Sequence, residues 1–372
     1  MIRRRPRLFS LVLAAAAAAV AGGAIAQDVT PDVLARGLQN PWGLTFIGEG
    51  RMVVTERPGR MRVIEADGGV GAPLKGLPEI DAVGQGGLLD VVADRDFARN
   101  RTLHFCYSEP GQGGNSTAMA SARLSDDRSA LENLRVVFSQ KPKVGSRLHF
   151  GCRIVQAGDG SLFLTLGDRY TRMQDAQTLD NHHGKVVRVT PDGNAHADNP
   201  FLQRTGALPE IWSLGHRNVQ GATLAPDGTL WTIEHGPQGG DELNRTEPGK
   251  NYGWPVITYG ENYGGGRIGE GITSRAGLEQ PVQHWVPSIA PAGLSFLGSD
   301  RYGAAWKGSL FTGSLKFRHL VRMRIEGGKV VEQERLLADL GQRIRDVREG
   351  PDGLLYVLTD DRDGQLVRLT PR

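Results

Sequence analysis

The chain has 372 residues, with 44 Lys and Arg against 41 Asp and Glu, and it contains 51 glycines. The basic surplus lies at the N-terminus: without Arg3, Arg4, Arg5 and Arg7 the formal charge falls from +3 to −1. No basic surplus is then left to attract nucleic acid, so a nucleic-acid partner is not expected.

The first 26 residues have the pattern of a secretory signal peptide, with an arginine-rich start, an apolar run over 8–20 and small residues at 24–26. The alternative is a retained anchor, but the apolar run is shorter than the about 20 residues that a bilayer span needs. We therefore expect residues 1–26 to be removed and 27–372 to form one domain, without stable membrane insertion. The mature protein is then periplasmic or secreted, and the arginines do not decide between general and twin-arginine export.

Residues 42–56 are the first of six segments in which an apolar run passes through a Gly-containing turn into a second apolar run. The others cover 87–109, 152–168, 221–235, 292–315 and 346–360. Asp-Gly between such runs, as at Asp227-Gly228, is a strong hairpin signal. Further strand-like segments follow each hairpin, and helical periodicity is hinted at only within 132–140 and 333–342. Six units of roughly 58 residues predict an all-β, six-bladed β-propeller with four-stranded antiparallel blades.

Two cysteines are present, Cys106 and Cys152. An oxidising compartment permits a disulfide between them. Both lie in apolar, strand-like runs, where two buried free thiols fit almost as well. Neither belongs to a Cys-x-x-Cys pair, so a redox motif or a zinc site is not expected.

In a propeller, the loops that enter the innermost strands and the loops that link second to third strands open on one face. This rule brings together a histidine, amides, cations and an acidic loop at one rim. Before innermost strands stand Gln85, His149, Arg217, Asn218, Gln220, Arg343 and Arg345; after second strands stand Glu56, Arg57, Asp168, Arg169, the 234–242 loop, Lys316, Arg318 and Asp360.

The cations of this rim, among them Arg217, Lys316, Arg343 and Arg345, would repel one another without an anionic ligand. Because guanidinium groups bind carboxylates bidentately, a small molecule with several carboxylates fits them. The alternative is a set of surface charges, each paired with a nearby acid.

The loop after Ile233 offers carboxylates at Glu234, Asp241 and Glu242, together with glycine and proline carbonyls and Tyr252. Hard oxygen ligands of this kind suit calcium better than zinc. The spacing is not that of an EF-hand, and a tight acidic turn without a metal is the alternative.

His149 begins an inner strand, and its ordinary pKa suits a general base near neutral pH, although an isolated histidine is more often structural. The chain has no Gly-x-Ser-x-Gly, His-Glu-x-x-His or P-loop motif, and no dinucleotide-binding fingerprint after a strand. Hydrolysis by a serine triad, zinc peptidase chemistry and nicotinamide binding are therefore not expected.

Several motifs resemble the soluble quinoprotein sugar dehydrogenases, bacterial aldose sugar dehydrogenases in particular. They include "NPWGLTF" at 40–46, "HFGCRI" at 149–154, "GHRNVQG" at 215–221, "HGPQGGDELN" at 235–244 and "PSIAPAGLSF" at 287–296. The resemblance covers essentially all of 28–372. It implies a six-bladed propeller that holds pyrroloquinoline quinone (PQQ) and calcium, and that oxidises aldose sugars to lactones at C1.

The resemblance also implies roles for individual residues. His149 corresponds to the general base. The cofactor-binding positions are Gln85, Arg217, Asn218, Gln220, Tyr263, Lys316, Phe317, Arg318, Arg343, Ile344 and Arg345, and the calcium positions are Gly236, Pro237, Glu242 and Tyr252. The implied partners are an aldose substrate and an external electron acceptor, either a quinone or an electron-transfer protein. One departure is Cys152, where the family pattern has a small residue.

Two other functions fit a propeller of this kind. A calcium-dependent lactonase or esterase would need a central metal held by Glu, Asn and Asp side chains, and a non-catalytic binding propeller would need no cofactor. The cations Lys316, Arg343 and Arg345 favour the dehydrogenase over both.

Overall fold

A computed structural model describes residues 29–372, so the predicted signal peptide, residues 1–26, lies outside the described residues. The described chain is almost entirely β-structure. Its strands are β1 (Val29–Leu38), β2 (Pro41–Gly48), β3 (Arg51–Glu56), β4 (Arg60–Ile64), β5 (Val70–Pro73), β6 (Leu88–Ala93), β7 (Thr102–Gly111), β8 (Gly114–Leu124), β9 (Leu131–Ser139), β10 (Gly151–Gln156), β11 (Leu162–Leu166), β12 (Lys185–Val189), β13 (Ile211–Leu214), β14 (Val219–Leu224), β15 (Leu230–Glu234), β16 (Asp241–Thr246), β17 (Gln283–Trp285), β18 (Pro291–Phe296), β19 (Leu310–Ser314), β20 (His319–Glu326), β21 (Lys329–Leu336), β22 (Ile344–Glu349), β23 (Leu355–Thr359) and β24 (Gly364–Pro371).

These strands form six four-stranded antiparallel sheets, which confirms the predicted six-bladed propeller. The first five sheets take four consecutive strands each, beginning with β2, β6, β10, β14 and β18. The sixth has the order β22-β23-β24-β1, so the first described strand completes the last blade. Val29 pairs with Pro371 and Val33 with Val367, and this pairing closes the ring.

Within residues 29–372, helical structure is limited to the helix α1 (Phe97–Asn100) and 3-10 turns at Met173–Gln177 and Ala338–Leu340. The hint of helical periodicity within 132–140 was wrong, because these residues form most of β9, the outer strand of the second blade. Residues 132–136 of β9 are exposed on both faces of the sheet. Burial therefore does not alternate along them as it does along a half-buried strand. Among residues 29–372 no helix is both long and apolar enough to cross a lipid bilayer.

Cys106 in β7 and Cys152 in β10 form a disulfide, with their Cα atoms 5.9 Å apart. The bond joins the second strand of one blade to the innermost strand of the next, and both residues are fully buried in a shared apolar cluster. The open choice between a bridge and two free thiols is therefore decided in favour of the bridge.

Where the innermost strands meet, a buried network of charges fills the axis of the ring. The Arg153 guanidinium lies 3.9 Å from the Trp42 ring and forms ion pairs with Asp90 (3.2 Å) and Asp346 (3.0 Å). Arg348 pairs with the same two carboxylates at 2.8 and 3.1 Å. We call Asp90, Arg153, Asp346 and Arg348 the axial network; its two cations and two anions balance.

Candidate active site

A cavity of about 1040 Å³ opens at one end of the ring, between the starts of the innermost strands and the loops that follow second strands. Each blade contributes to its wall, so it is centred on the axis. Most of the predicted rim residues line this cavity, but Glu56, His149, Asp168, Arg169 and Arg217 do not. Eight of the eleven predicted cofactor-binding residues line it: Gln85, Asn218, Gln220, Tyr263, Lys316, Arg318, Arg343 and Arg345.

The other three, Arg217, Phe317 and Ile344, are not part of the cavity wall. Successive side chains of a strand point to opposite faces, so Ile344, between two wall arginines, is fully buried in the apolar core. Phe317 is 44% exposed, and its ring centroid lies 5.3 Å from the Lys316 ammonium. Arg217 lies behind the wall, where its side chain contacts the acidic loop.

Positive charge dominates the wall. Among the described residues, five cations line it, Arg57, Lys316, Arg318, Arg343 and Arg345, against two acids, Glu261 and Asp360. We call these five residues the cation cradle. Both Arg343 and Arg345 donate to Asp360 Oδ2, at 2.9 and 2.7 Å. The other three cations form no ion pair with any described residue, so pairing with nearby acids does not account for the cradle.

Asp360 is the one acid that the cradle arginines share. Burial opposes its ionisation, but Arg345 and then Arg343 outweigh burial and hold the pKa of Asp360 well below its usual range. Arg345 also donates through Nη1 to Gln220 Oε1 at 3.2 Å. Its Nε is buried without a hydrogen-bond partner in the described chain.

His149 is buried and is not itself part of the cavity wall, but it directly precedes the wall residues Phe150 and Gly151 in the chain. Its Nδ1 lies 2.7 Å from Asp168 Oδ1, and its backbone N–H donates to Gln85 Oε1 at 2.8 Å. Because an ionised carboxylate only accepts, Asp168 selects the tautomer with the proton on Nδ1. Nε2 makes no hydrogen bond within residues 29–372 and is free to accept a proton.

Asp168 has a second partner far along the chain. Trp254 Nε1 donates to Asp168 Oδ2 at 2.8 Å, so both carboxylate oxygens are engaged. Burial lowers the pKa of His149, and the Asp168 carboxylate opposes this without overcoming it. The imidazole is therefore neutral near pH 7, oriented, and able to act as a base.

Two amides join the third and fourth blades beneath the cavity. Asn218 Oδ1 accepts from the Gly151 N–H at 3.1 Å, and Gln220 Nε2 donates to the Gly151 carbonyl at 3.2 Å. Asn218 Nδ2 has no partner among the described residues. A ligand acceptor in the cavity could therefore bind it without breaking an existing bond.

Arg217 is held against the acidic loop. Its backbone N–H donates to Glu234 Oε2 at 2.6 Å, and its Nη1 donates to the carbonyls of Gly236 (2.6 Å) and His235 (3.1 Å). The guanidinium also lies 5.2 Å from the Trp254 ring. Arg217 thus contacts both the acidic loop and Trp254, whose indole N–H binds the Asp168 carboxylate that orients His149.

Of the four predicted calcium positions, Pro237 lines the cavity and Gly236 precedes it. Glu242 lies in β16 beside Glu234; burial and then the Glu234 charge raise the pKa of Glu242 well above its usual value. Asn244 Nδ2 donates to both carboxylates, at 3.3 and 3.4 Å, whereas Asn244 Oδ1 is buried without a partner. Two adjacent carboxylates and an unpaired amide oxygen fit a hard cation.

Tyr252 is less suited to a metal through its side chain. Its hydroxyl donates to the Arg245 carbonyl and accepts the Glu247 N–H at 2.9 Å, and its ring stacks on His216 with centroids 4.8 Å apart. In residues 29–372 no three His, Cys, Asp or Glu side chains are grouped for metal binding. Calcium in this region would therefore need amide and backbone oxygens as well as carboxylates.

The sequence placed Asp168 and Asp360 on the rim without a role, and it singled out neither Trp42 nor Trp254. Trp254 lies 86 residues from Asp168, and no local pattern relates the two. Trp42 forms part of the cavity wall while contacting Arg153 of the axial network. The position of Asp168 after a second strand was the one available signal for its role.

The chain matches the family model for glucose/sorbosone dehydrogenases over residues 38–368. It is 47% identical over 348 residues to the aldose sugar dehydrogenase YliI of Escherichia coli, an alignment that covers 92% of this chain and 93% of that protein. The crystal structure of the soluble aldose sugar dehydrogenase of Escherichia coli in the apo-form has a TM-score of 0.89, at 46% identity, over 92% of this chain and 100% of that one. The PQQ-bound form of the aldose sugar dehydrogenase of Streptomyces coelicolor has a TM-score of 0.77, at 26% identity, over 93% and 99% of the two chains.

Proposed function

The chain belongs to the glucose/sorbosone dehydrogenase family, and on that basis we propose that it is an exported, PQQ-dependent aldose sugar dehydrogenase. It oxidises aldoses at C1 to lactones and passes the electrons to an external acceptor, a quinone or an electron-transfer protein. The observation that carries the proposal is the cation cradle beside an oriented, neutral histidine. Neither feature alone would specify this chemistry, since cations bind many anions and buried histidines are often structural.

The wall of the cavity fits PQQ, a flat molecule with three carboxylates. Five cations and two acids are among the described residues of the wall, and Asn218 Nδ2 has no hydrogen-bond partner in the described chain. Lys316, Arg343 and Arg345 would bind the carboxylates, while Asn218 and Gln85 would bind other oxygens of the ring system. When bound, PQQ supplies the acceptor for the C1 hydrogen of the sugar and its electron pair.

His149 is the general base of the proposed reaction. Its Nε2 takes the proton of the anomeric hydroxyl as the sugar is oxidised, and the Asp168 carboxylate stabilises the imidazolium that forms. Trp254 keeps Asp168 in place by binding its other oxygen. Because burial keeps His149 neutral, the base is in its active form at neutral pH.

Calcium is proposed at two places in the acidic loop. The carbonyls of Gly236 and Pro237 would hold an ion at the cavity, where Arg217 already contacts the Gly236 oxygen. Glu242 with Glu234 and Asn244 Oδ1 would hold a structural ion. Tyr252 would contribute a backbone oxygen only, since its hydroxyl is bonded to the chain.

Dye reduction by the purified protein tests the proposal. With PQQ, calcium and an aldose present, we expect an artificial acceptor to be reduced, and we expect no reduction when either PQQ or the sugar is left out. Binding of PQQ, followed separately by its absorbance, is the control for loading. A protein that binds PQQ but reduces no dye with any aldose would contradict the proposed activity.

Export is tested by recovering the protein from the periplasm and sequencing its N-terminus. We expect the mature chain to begin at Gln27. An intact Met1 in membrane-bound protein would instead support the retained anchor.

A further inference from the structure

The loop that joins β11 to β12 presents an aromatic side chain beside the proposed base. The ring centroids of Tyr170 and His149 are 5.3 Å apart, with an interplanar angle of 82°. Tyr170 is nevertheless 48% exposed, and its hydroxyl has no hydrogen-bond partner in residues 29–372. The proposed chemistry at His149 gives this ring no role, although it is an aromatic surface in contact with the base.

The backbone at this point is strained. Arg169 and Tyr170 both have left-handed φ angles, +56° and +63°. The left-handed region is unfavourable for residues other than glycine. Two such residues in succession persist there only where their surroundings impose this conformation. Here Asp168 Oδ1, the oxygen that binds His149 Nδ1, also accepts the Tyr170 N–H at 2.7 Å. One carboxylate oxygen therefore positions both side chains.

Arg169 holds the strained segment from the other side. Its buried guanidinium lies 3.8 Å from the Phe150 ring and donates to Asn115 Oδ1 at 2.7 Å and the Ser146 carbonyl at 2.8 Å. Ser146 Oγ in turn donates to the Arg169 carbonyl at 2.6 Å. Burial lowers the pKa of Arg169 to about 10, so it remains a cation at neutral pH. The loop thus holds Tyr170 rigidly while leaving its ring half exposed.

We propose that Tyr170 is a substrate-binding residue, the aromatic surface against which the sugar ring packs when its C1 hydroxyl meets His149 Nε2. The inference rests on the proposed function, because it takes an aldose as the molecule that reaches His149. Pyranoses have an apolar C–H face that packs on aromatic rings, and sites for small molecules combine such surfaces with a few polar groups. Neither residue is part of the cavity wall, but their ring centroids are 5.3 Å apart, so a sugar bound at Nε2 would lie within reach of the exposed ring of Tyr170.

The test compares three variants of the PQQ-loaded holoenzyme. Tyr170→Asn removes the ring but tolerates the left-handed backbone, because asparagine adopts that region readily. Tyr170→Phe keeps the ring. Met173→Ala is the matched control, since Met173 is also exposed, at 39%, in the same loop and has no ring contact with His149. Melting temperature and PQQ binding establish that each variant is folded and loaded.

We expect Tyr170→Asn to raise KM about three- to tenfold, the range for losing one aromatic contact. Turnover and the pH profile of Tyr170→Asn should change little. The KM values of Tyr170→Phe and Met173→Ala should stay within about twofold of wild type. The dissociation constant of the product lactone, measured by calorimetry, should rise by the same factor as KM. This second readout does not depend on turnover.

An unchanged KM and lactone affinity in Tyr170→Asn would overturn the inference. So would a shifted pH profile with unchanged lactone affinity, since Tyr170 would then act only on the environment of His149. If wild-type holoenzyme oxidises aldoses and the variant matches it, the inference alone fails. If wild type neither oxidises aldoses nor binds the lactone, the proposed function fails with it.

Discussion

The axial network and the cation cradle are adjacent and both rich in arginine, yet their charges are arranged differently. In the axial network Arg153 and Arg348 share Asp90 and Asp346, so every buried charge has partners of opposite sign. In the cradle two arginines share one aspartate and three cations have no acid partner within the described residues. Balanced charges join the blades, whereas an excess of one sign on a cavity wall attracts a ligand of the other sign.

The two regions are also linked through the backbone. Arg153 donates through Nε to the Gln220 carbonyl at 2.8 Å and through Nη2 to the Arg345 carbonyl at 2.9 Å. Gln220 and Arg345 both line the cavity. The axial network is therefore bonded to the backbone of two residues of the cavity wall, and it positions the strands from which their side chains project.

Breaking the axial network should have the largest effect on stability. Arg153→Met leaves two buried aspartates with one arginine, and we expect the free energy of unfolding to fall by about 3–5 kcal/mol. Arg343→Met is the control, because Arg343 is 43% exposed and Asp360 keeps Arg345 as a partner; we expect a change of about 1 kcal/mol or less. Denaturant unfolding of the apo-protein measures both. Equal losses would mean that the two regions do not differ as described.

Removing the base should affect turnover and leave both charged regions intact. We expect His149→Ala to lower kcat by about 10²–10⁴ while PQQ affinity and the melting temperature stay close to those of wild type. Stopped-flow reduction by an aldose gives the rate, and absorbance titration gives the affinity. Turnover at the wild-type rate would remove His149 from the proposed role.

Removing an unpaired cation should weaken cofactor binding without destabilising the apo-protein. Lys316 forms no ion pair within residues 29–372, so Lys316→Ala removes no ion pair from the described apo-protein. We expect the Kd of PQQ to rise about ten- to hundredfold, the effect of losing one charge-assisted contact. Lys307→Ala, a lysine outside the cavity wall, is the control. A large fall in the melting temperature of apo Lys316→Ala would indicate a structural role instead.

The smallest expected effect is the pH dependence due to Asp360. Its folded pKa lies below the unfolded value near 3.9, so the unfolded state binds the proton more tightly. The stabilisation is therefore fully present above the unfolded pKa and is lost as the pH falls towards the folded pKa. We expect Asp360→Asn to be less stable than wild type by about 1–2 kcal/mol at pH 7, and the difference to shrink below about pH 4. A difference that stays constant from pH 7 to pH 3 would contradict this assignment.

The sequence alone determined the architecture and most of the cavity wall. Turn signals such as Asp227-Gly228 and the alternation of apolar residues are local, because they follow from backbone preferences and from the two-residue period of a strand. In a propeller, the loops before innermost strands and the loops after second strands open on one face. Once the hairpins were assigned, this rule placed Asn218, Lys316 and Arg343 at the same end of the ring. That placement needed no knowledge of how the blades pack.

Only the tertiary structure decided which of these residues meet. Trp254 binds Asp168, and Cys106 bonds to Cys152. Such pairings join segments tens of residues apart, and they depend on the packing of neighbouring blades and on the exact face that each side chain takes. Local sequence patterns carry no information about that packing, because the energy of a long-range contact appears only when the ring is closed.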